Sequence, residues 1–305
     1  MAALGADGML IGRSHECDFP ASVASLPVLT RPAIDPSGGS AAIDRAVKER
    51  VGRALSIYDI DEDRLADLAP DIIITQDQCA VCAVPFADVA AVVRGWAPGG
   101  TTLVSLSPSR LDDIWDDIRT VGDAVGAATA VPPTVARLRG RLKAVDDVSG
   151  DIPMSDRPTV AAIEWLDPPM AAGNWVPELI GIAGGRPLFA EAGRHSPWLE
   201  WDELLRADPD VVVLMPCGYS IEQTLAELST VTGRAGWPDL RAVREGRVFV
   251  VDGNAYFNRS GPRLVDSAEL LTELFWPGRV DSRYHGAGWR RVGTGGTVGE
   301  PGADV

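Results

Sequence analysis

Short apolar runs alternate along the chain with segments of helical period. Ile72 to Thr75, Thr102 to Leu106, Val160 to Trp165, Val211 to Met215 and Val248 to Val251 are β-branched and unalternating. Such runs predict strands buried on both faces, as in a parallel sheet covered by helices. Leu55 to Ile60 predicts a further strand. The fold class that follows is α/β, with mainly parallel sheets flanked by helices.

The middle of the chain has a different rhythm. Leu111, Ile114, Trp115, Ile118, Val121 and Val125 recur at intervals of three and four, which predicts an amphipathic helix. Val135, Leu138, Leu142 and Val145 resume that pattern up to Ser149-Gly150. A helix of about 30 residues would be about 45 Å long. Pro132 and Pro133 should kink or break it, because proline removes a helical hydrogen bond and clashes with the preceding turn.

A weak repeat brackets this segment. Leu65-Ala-Asp-Leu-Ala-Pro-Asp-Ile-Ile-Ile-Thr leads to Cys79, and Leu205-Arg-Ala-Asp-Pro-Asp-Val-Val-Val-Leu-Met leads to Cys217. Each reads as a helix end, a Pro-Asp turn, a buried strand and a polar loop. Two lobes joined by a backbone helix follow: residues 1–110, a linking helix over 111–150, and residues 151–278. From Arg279 the chain is rich in glycine, so 279–305 is expected to be a disordered tail.

Charge narrows the partners. The 305 residues carry a net charge of −15, which argues against nucleic acid, since phosphate binding wants a basic face. No run of about 18 apolar residues predicts a membrane helix. The first residues carry neither a basic region nor a long apolar stretch, so the chain as it stands reads as cytoplasmic with reduced cysteines. A start lying further upstream would instead make it periplasmic or cell-surface.

In an open parallel sheet, ligands sit at the carboxyl ends of strands. The loops expected there hold the unusual residues. Cys79 and Cys82 have the C-x-x-C spacing, which suits Zn²⁺ chelation or a redox pair. His15, Cys17 and Cys217 could complete a zinc or iron site. Trp165, Trp175, Trp198, Tyr219, Tyr256 and Phe257 form an aromatic set suited to a large, rigid, partly apolar ligand. Asn174, His195 and Asn254 add polar groups among them. The plainer alternatives are that tryptophans pack loops onto cores and that Asn174 caps a helix. No G-x-G-x-x-G, Walker-type or G-x-S-x-G motif is present. A nucleotide-binding site and an α/β-hydrolase are therefore not expected, and the chain reads as a binder.

Five segments carry a resemblance: Gly12-Arg-Ser-His-Glu-Cys-Asp-Phe-Pro20, Thr75-Gln-Asp-Gln-Cys-Ala-Val-Cys82, Gly173-Asn-Trp-Val-Pro177, His195-Ser-Pro-Trp198 and Gly253-Asn-Ala-Tyr-Phe-Asn258. Over residues 1 to 277 the chain resembles the substrate-binding proteins of cobalamin and iron-siderophore ABC transporters, and within them the cobalamin-binding branch. The resemblance implies two α/β lobes joined by a rigid helix, with a corrinoid held in the cleft between them. It implies an ABC transporter permease as partner and a monomeric protein. It also implies an opening strand, which is expected to be missing from the chain as it starts here. The alternatives are a cytosolic metalloprotein or metal-dependent enzyme built on the His/Cys cluster, and a dithiol redox protein using Cys79 and Cys82.

Overall fold

The computed structural model describes residues 1–53, 55–77, 86–96 and 100–293, and of Trp96 the backbone alone. It has two compact α/β units. Met1–Pro108 and Asp112–Arg137 make the first, while Ser109–Leu111 and the chain from Leu138 make the second.

The first unit opens with three short 3₁₀ turns, then strand β1 (Thr30–Pro32), helix α1 (Ser40–Gly52) and strand β2 (Tyr58–Ile60). β1 and β2 pair antiparallel. Helix α2 (Glu62–Leu68) starts where the Asp61 side chain accepts the Arg64 N–H, satisfying one of the orphan donors of a helix start. Strand β3 (Ile72–Gln76), helix α3 (Phe86–Trp96) and strand β4 (Thr102–Leu106) follow, with β3 and β4 parallel.

Two expectations change here. The first unit's strands form two separate pairs among the described residues, one antiparallel and one parallel, not one mainly parallel sheet. The strand expected over Leu55 to Ile60 begins only at Tyr58. The Leu55 N–H donates to the Arg50 carbonyl, so that residue still belongs to the exit of α1.

The amphipathic segment is two helices, α4 (Leu111–Ala124) and α5 (Val131–Val148). The apolar stripe of α4 is buried as its spacing predicts, with Ile114 and Trp115 at 1% and 3% exposure. The break falls at Gly126, whose φ of +71° suits glycine, not at Pro132 and Pro133. Those prolines sit in the first turn of α5, where no intrahelical N–H bond is needed. Gly122 lets the two helices close up, since a Cβ there would lie 2.3 Å from a Val131 methyl. The boundary between the units falls within α5, after Arg137.

The second unit holds a six-stranded sheet. Its strands are β5 (Thr159–Leu166), β6 (Pro169–Ala171), β7 (Arg186–Pro187), β8 (Val211–Leu214), β9 (Val248–Val251) and β10 (Trp289–Val292). β7, β5, β8 and β9 run parallel, while β6 and β10 pair antiparallel with β5 and β9. Its helices are α6 (Val176–Ile182), α7 (Trp201–Ala207), α8 (Ile221–Ala226), α9 (Ser229–Thr232), α10 (Arg241–Arg244), α11 (Gly253–Tyr256) and α12 (Leu264–Phe275).

Alternation along the strands divides the core. Ala161, Ile163, Val212, Leu214, Val248 and Val250 face α7, α8 and α10 through Leu204, Ile221 and Val243. Val160 faces the other way, and Gly185 sits against the side chains of Val160, Ile180 and Phe275, from β5, α6 and α12. Both faces are covered, which is why these strands read as unbroken apolar runs.

The expected disordered tail is overturned as far as Gly293. Trp289–Val292 pairs antiparallel with β9, and Trp289 packs edge-on against Phe249 at 5.5 Å. The buried Glu273 carboxylate accepts the N–H groups of Arg283 and Tyr284 and the Trp289 indole N–H. Residues 294–305 of that expectation lie outside the described residues.

Candidate functional site

The parallel strands β5, β8 and β9 end together, and the loops leaving their carboxyl ends are fastened to one another. The Met215 N–H donates to the Ile163 carbonyl at 2.8 Å, and the Cys217 N–H to Glu164 at 2.9 Å. The Asn254 N–H donates to the Tyr219 carbonyl, and the Gly218 N–H to Asn258 Oδ1. Position 253 must be glycine, because a Cβ would lie 2.3 Å from the Pro216 carbonyl oxygen.

A second fastening brings in the loop over residues 190–199. It runs beside β6, with the Ala171 N–H on the Pro197 carbonyl and the Leu199 N–H on the Pro169 carbonyl. Asn174 has a φ of +51°, and its backbone exchanges bonds with Arg194 and Gly193. Gly173 takes a bond from its N–H to Ser196 Oγ, and a side chain there would strike the backbone of Arg194 and Ser196. Asn174 is thus a turn residue of the kind that tolerates left-handed backbone.

The aromatic residues divide by exposure. Trp198 is 50% exposed on this fixed backbone. Trp165 is half-buried, its ring edge-on to Tyr219 at 5.6 Å. Tyr256 is half-buried, with Tyr284 edge-on at 5.7 Å and the Arg263 guanidinium over its ring at 4.6 Å.

Two of the expected contact residues are core instead. Trp175 is 3% exposed and donates its indole N–H to the Phe257 carbonyl, and Phe257 is 1% exposed. Their rings knit α6 to the exit of α11, so they present no face to a ligand. Tyr219 is also buried, and its hydroxyl donates to Glu227 Oε1 at 2.8 Å. Burial and the Glu227 carboxylate push its phenol well above the usual range.

The polar candidates lie around these rings. His195 is exposed, and its Nδ1 is 3.0 Å from the Ser196 carbonyl, so that nitrogen carries the proton. Asn254 is half-buried, with Oδ1 accepting from two nitrogens of Arg259. Asp252 caps α11 through the Ala255 N–H, and burial raises its pKa against the pull of that bond.

Among the described residues no three His, Cys, Asp or Glu side chains are grouped to hold an ion. His15 is taken up by Thr30, whose hydroxyl oxygen lies 2.7 Å from its Nδ1, and by the Tyr58 ring at 5.4 Å. Burial lowers the His15 pKa, with Glu16 opposing the shift. Cys17 and Cys217 are half-buried free thiols. Cys79 and Cys82, on which both the zinc or iron site and the redox pair depend, lie outside the described residues.

The sequence reading missed several groups that shape this edge. Asn258 Oδ1 and Ser196 Oγ hold loop backbone, and Arg234 bonds Asp167 at the β5–β6 turn while lying over Trp201. Tyr284 lies in what read as tail. Its signal was the cluster of Tyr284, His285 and Trp289, since disordered segments are poor in aromatics.

No helix among the described residues is long and apolar enough to cross a membrane. The chain is 20% identical over 224 residues to an uncharacterized ABC transporter substrate-binding lipoprotein, YvrC, of Bacillus subtilis, covering 72% of this chain and 66% of that protein. It is 25% identical over 188 residues to a cobalamin-binding protein of Halobacterium salinarum, covering 60% of this chain and 49% of the relative. The chain thus spans half to two thirds of the curated relatives it matches. The periplasmic vitamin B12-binding protein BtuF of Vibrio cholerae shares the fold with a TM-score of 0.63 and 19% identity, over 90% of this chain and 91% of that one. Residues 41–255 match the model of a family described as periplasmic binding protein, whose members are non-enzymatic substrate-binding proteins of transporters. With more than half its length inside that match, the chain belongs to the periplasmic binding protein family.

Proposed function

We propose that the chain is the ligand-binding component of an ABC uptake transporter and that its ligand is a corrinoid of the cobalamin type. One observation carries the reading: Trp198 is half exposed although its backbone is locked against β6. An exposed tryptophan on a fixed frame is a preorganised apolar face, which costs little ordering on binding. Trp165, near the end of β5, and Tyr256, on α11 after β9, add half-buried rings, and Asn174, His195 and Asn254 add polar groups. A corrin ring offers broad apolar faces and an amide-bearing rim, which that mixture suits.

The cobalamin-binding relative and the vitamin B12-binding neighbour agree with the choice. Ligands of this family include cobalamin, haem and siderophores, so the three compete in the test. The partner is the transporter's permease, the protein acts as a monomer, and it works outside the cytoplasmic membrane, as the lipoprotein and periplasmic descriptions of its relatives suggest.

The purified protein is titrated with cyanocobalamin, haemin and a ferric siderophore, and tryptophan fluorescence is followed. Cyanocobalamin should bind with a Kd below about 1 μM, and Trp198→Ala should weaken it about tenfold. Tighter haemin or siderophore binding would move the ligand to that class. Binding of none would remove the transport reading.

A further inference from the structure

We infer that residues 277–293, a strap wrapped back from α12, support the ligand site, and that Tyr284 in it is a positioning residue for Tyr256. The inference rests on the proposed reading in taking Tyr256 as a ligand contact. The family match ends at residue 255, so the strap lies beyond it.

The strap meets α11 at both ends of that helix. At its start, the Asp252 N–H donates to the Gly288 carbonyl at 3.0 Å, while the Asp252 side chain caps the helix. At its end, the Tyr284 ring stands edge-on to Tyr256, 5.7 Å between centroids and 83° between planes. Arg263 lies over the Tyr256 ring at 4.6 Å, so the ring is set by two neighbours.

Tyr284 is itself held firmly. Its hydroxyl donates to Glu269 Oε2 at 2.7 Å, and its N–H donates to Glu273 Oε1 at 3.1 Å. Glu269 takes two further bonds from the Arg141 guanidinium of α5, at 2.9 and 2.7 Å. Glu273 is 6% exposed and also takes the Trp289 indole N–H. A side chain fixed at both its backbone and its tip can hold a neighbour in one orientation. Tyr256 then meets its ligand already ordered, which saves the conformational freedom a loose ring would lose.

The test uses the full chain, with Tyr284→Ala, Tyr284→Phe, Tyr256→Ala and the Tyr256→Ala/Tyr284→Ala double variant. Cyanocobalamin affinity and hydrogen exchange of the ligand-free protein are the readouts. Tyr284→Ala should weaken cyanocobalamin about fivefold, whereas Tyr284→Phe, which keeps the ring, should stay within about twofold of wild type. Tyr256→Ala should bind as well as the double variant, because a positioning residue has nothing left to position. Amides of residues 252–258 should exchange faster in Tyr284→Ala, while those of Val211–Leu214 keep their protection.

Unchanged exchange at 252–258 overturns the inference. So does an equal loss of affinity from Tyr284→Ala in the Tyr256→Ala background, which would mark a general structural role. If wild type binds no cyanocobalamin, the ligand reading falls and the exchange comparison still decides the role of Tyr284. If Tyr284→Ala does not fold, Tyr284→Leu carries the same comparison.

Discussion

Strands β3 and β8 come from matching stretches of sequence and end up in different surroundings. Each follows a helix end and a Pro-Asp turn, and each opens with three β-branched residues. All four residues of β8 are at 0% exposure, whereas every residue of β3 is only half-buried. The difference lies in the neighbours. β8 is paired on both edges, by β5 and β9, while β3 has β4 as its strand partner among the described residues. An apolar run therefore reports the capacity to be buried, and the flanking strands decide how far that capacity is used.

The largest effect should come from truncating the two strands in parallel. Leu214→Ala removes a side chain at 0% exposure and should cost about 2–5 kcal/mol. Ile74→Ala, at a half-buried position, should cost about 1–1.5 kcal/mol. Urea unfolding of each variant measures both, and equal losses would break the comparison.

A smaller effect sharpens it at the sheet edge. The closing strand β10 depends on Glu273, whose carboxylate gathers three N–H groups of the strap. Glu273→Ala leaves those donors unsatisfied and should cost about 2–3 kcal/mol. Faster hydrogen exchange in 283–292, with β8 unchanged, is the expected signature.

The smallest effect is a gain, in the first unit. Burial, with help from Asp113 and Asp116, pushes the Asp117 carboxyl up to about 6. A raised carboxyl binds its proton more tightly in the folded state, so its protonation favours folding at low pH. The benefit is full below about 3.8, the ordinary value, and is lost as pH rises through about 6. Asp117→Asn should thus stabilise the protein by about 1 kcal/mol at pH 7, after allowance for screening of a partly exposed group. The gain should fade as pH falls toward 4, and thermal melts across that range would show it.

What the sequence could reveal follows from the same contrast. Thr102–Leu106 and Val248–Val251 are strands at the residues their patterns mark, and the stripe from Leu111 to Val121 is helical. β10 was illegible because Trp289-Arg-Arg-Val has no apolar period and lies among glycines. The helix break was misplaced because a proline pair at a helix start looks, in sequence, like a pair inside one. At the strand-end loops, composition picked out the aromatic residues and could not say which of their rings are buried. Trp175 and Trp198 are chemically alike in sequence, yet the first is 3% exposed with its indole on the Phe257 carbonyl and the second is 50% exposed.

Gly253 sets a limit on how this protein can diversify. Because the strand-end loops touch backbone to backbone there, the frame of the site tolerates no added atom at that point. Under the proposed ligand reading, variation that retunes preference falls on side chains such as the exposed Trp198 and the half-buried Asn254. A library that randomises those positions and fixes the glycine would explore new specificities without dismantling the scaffold that presents them.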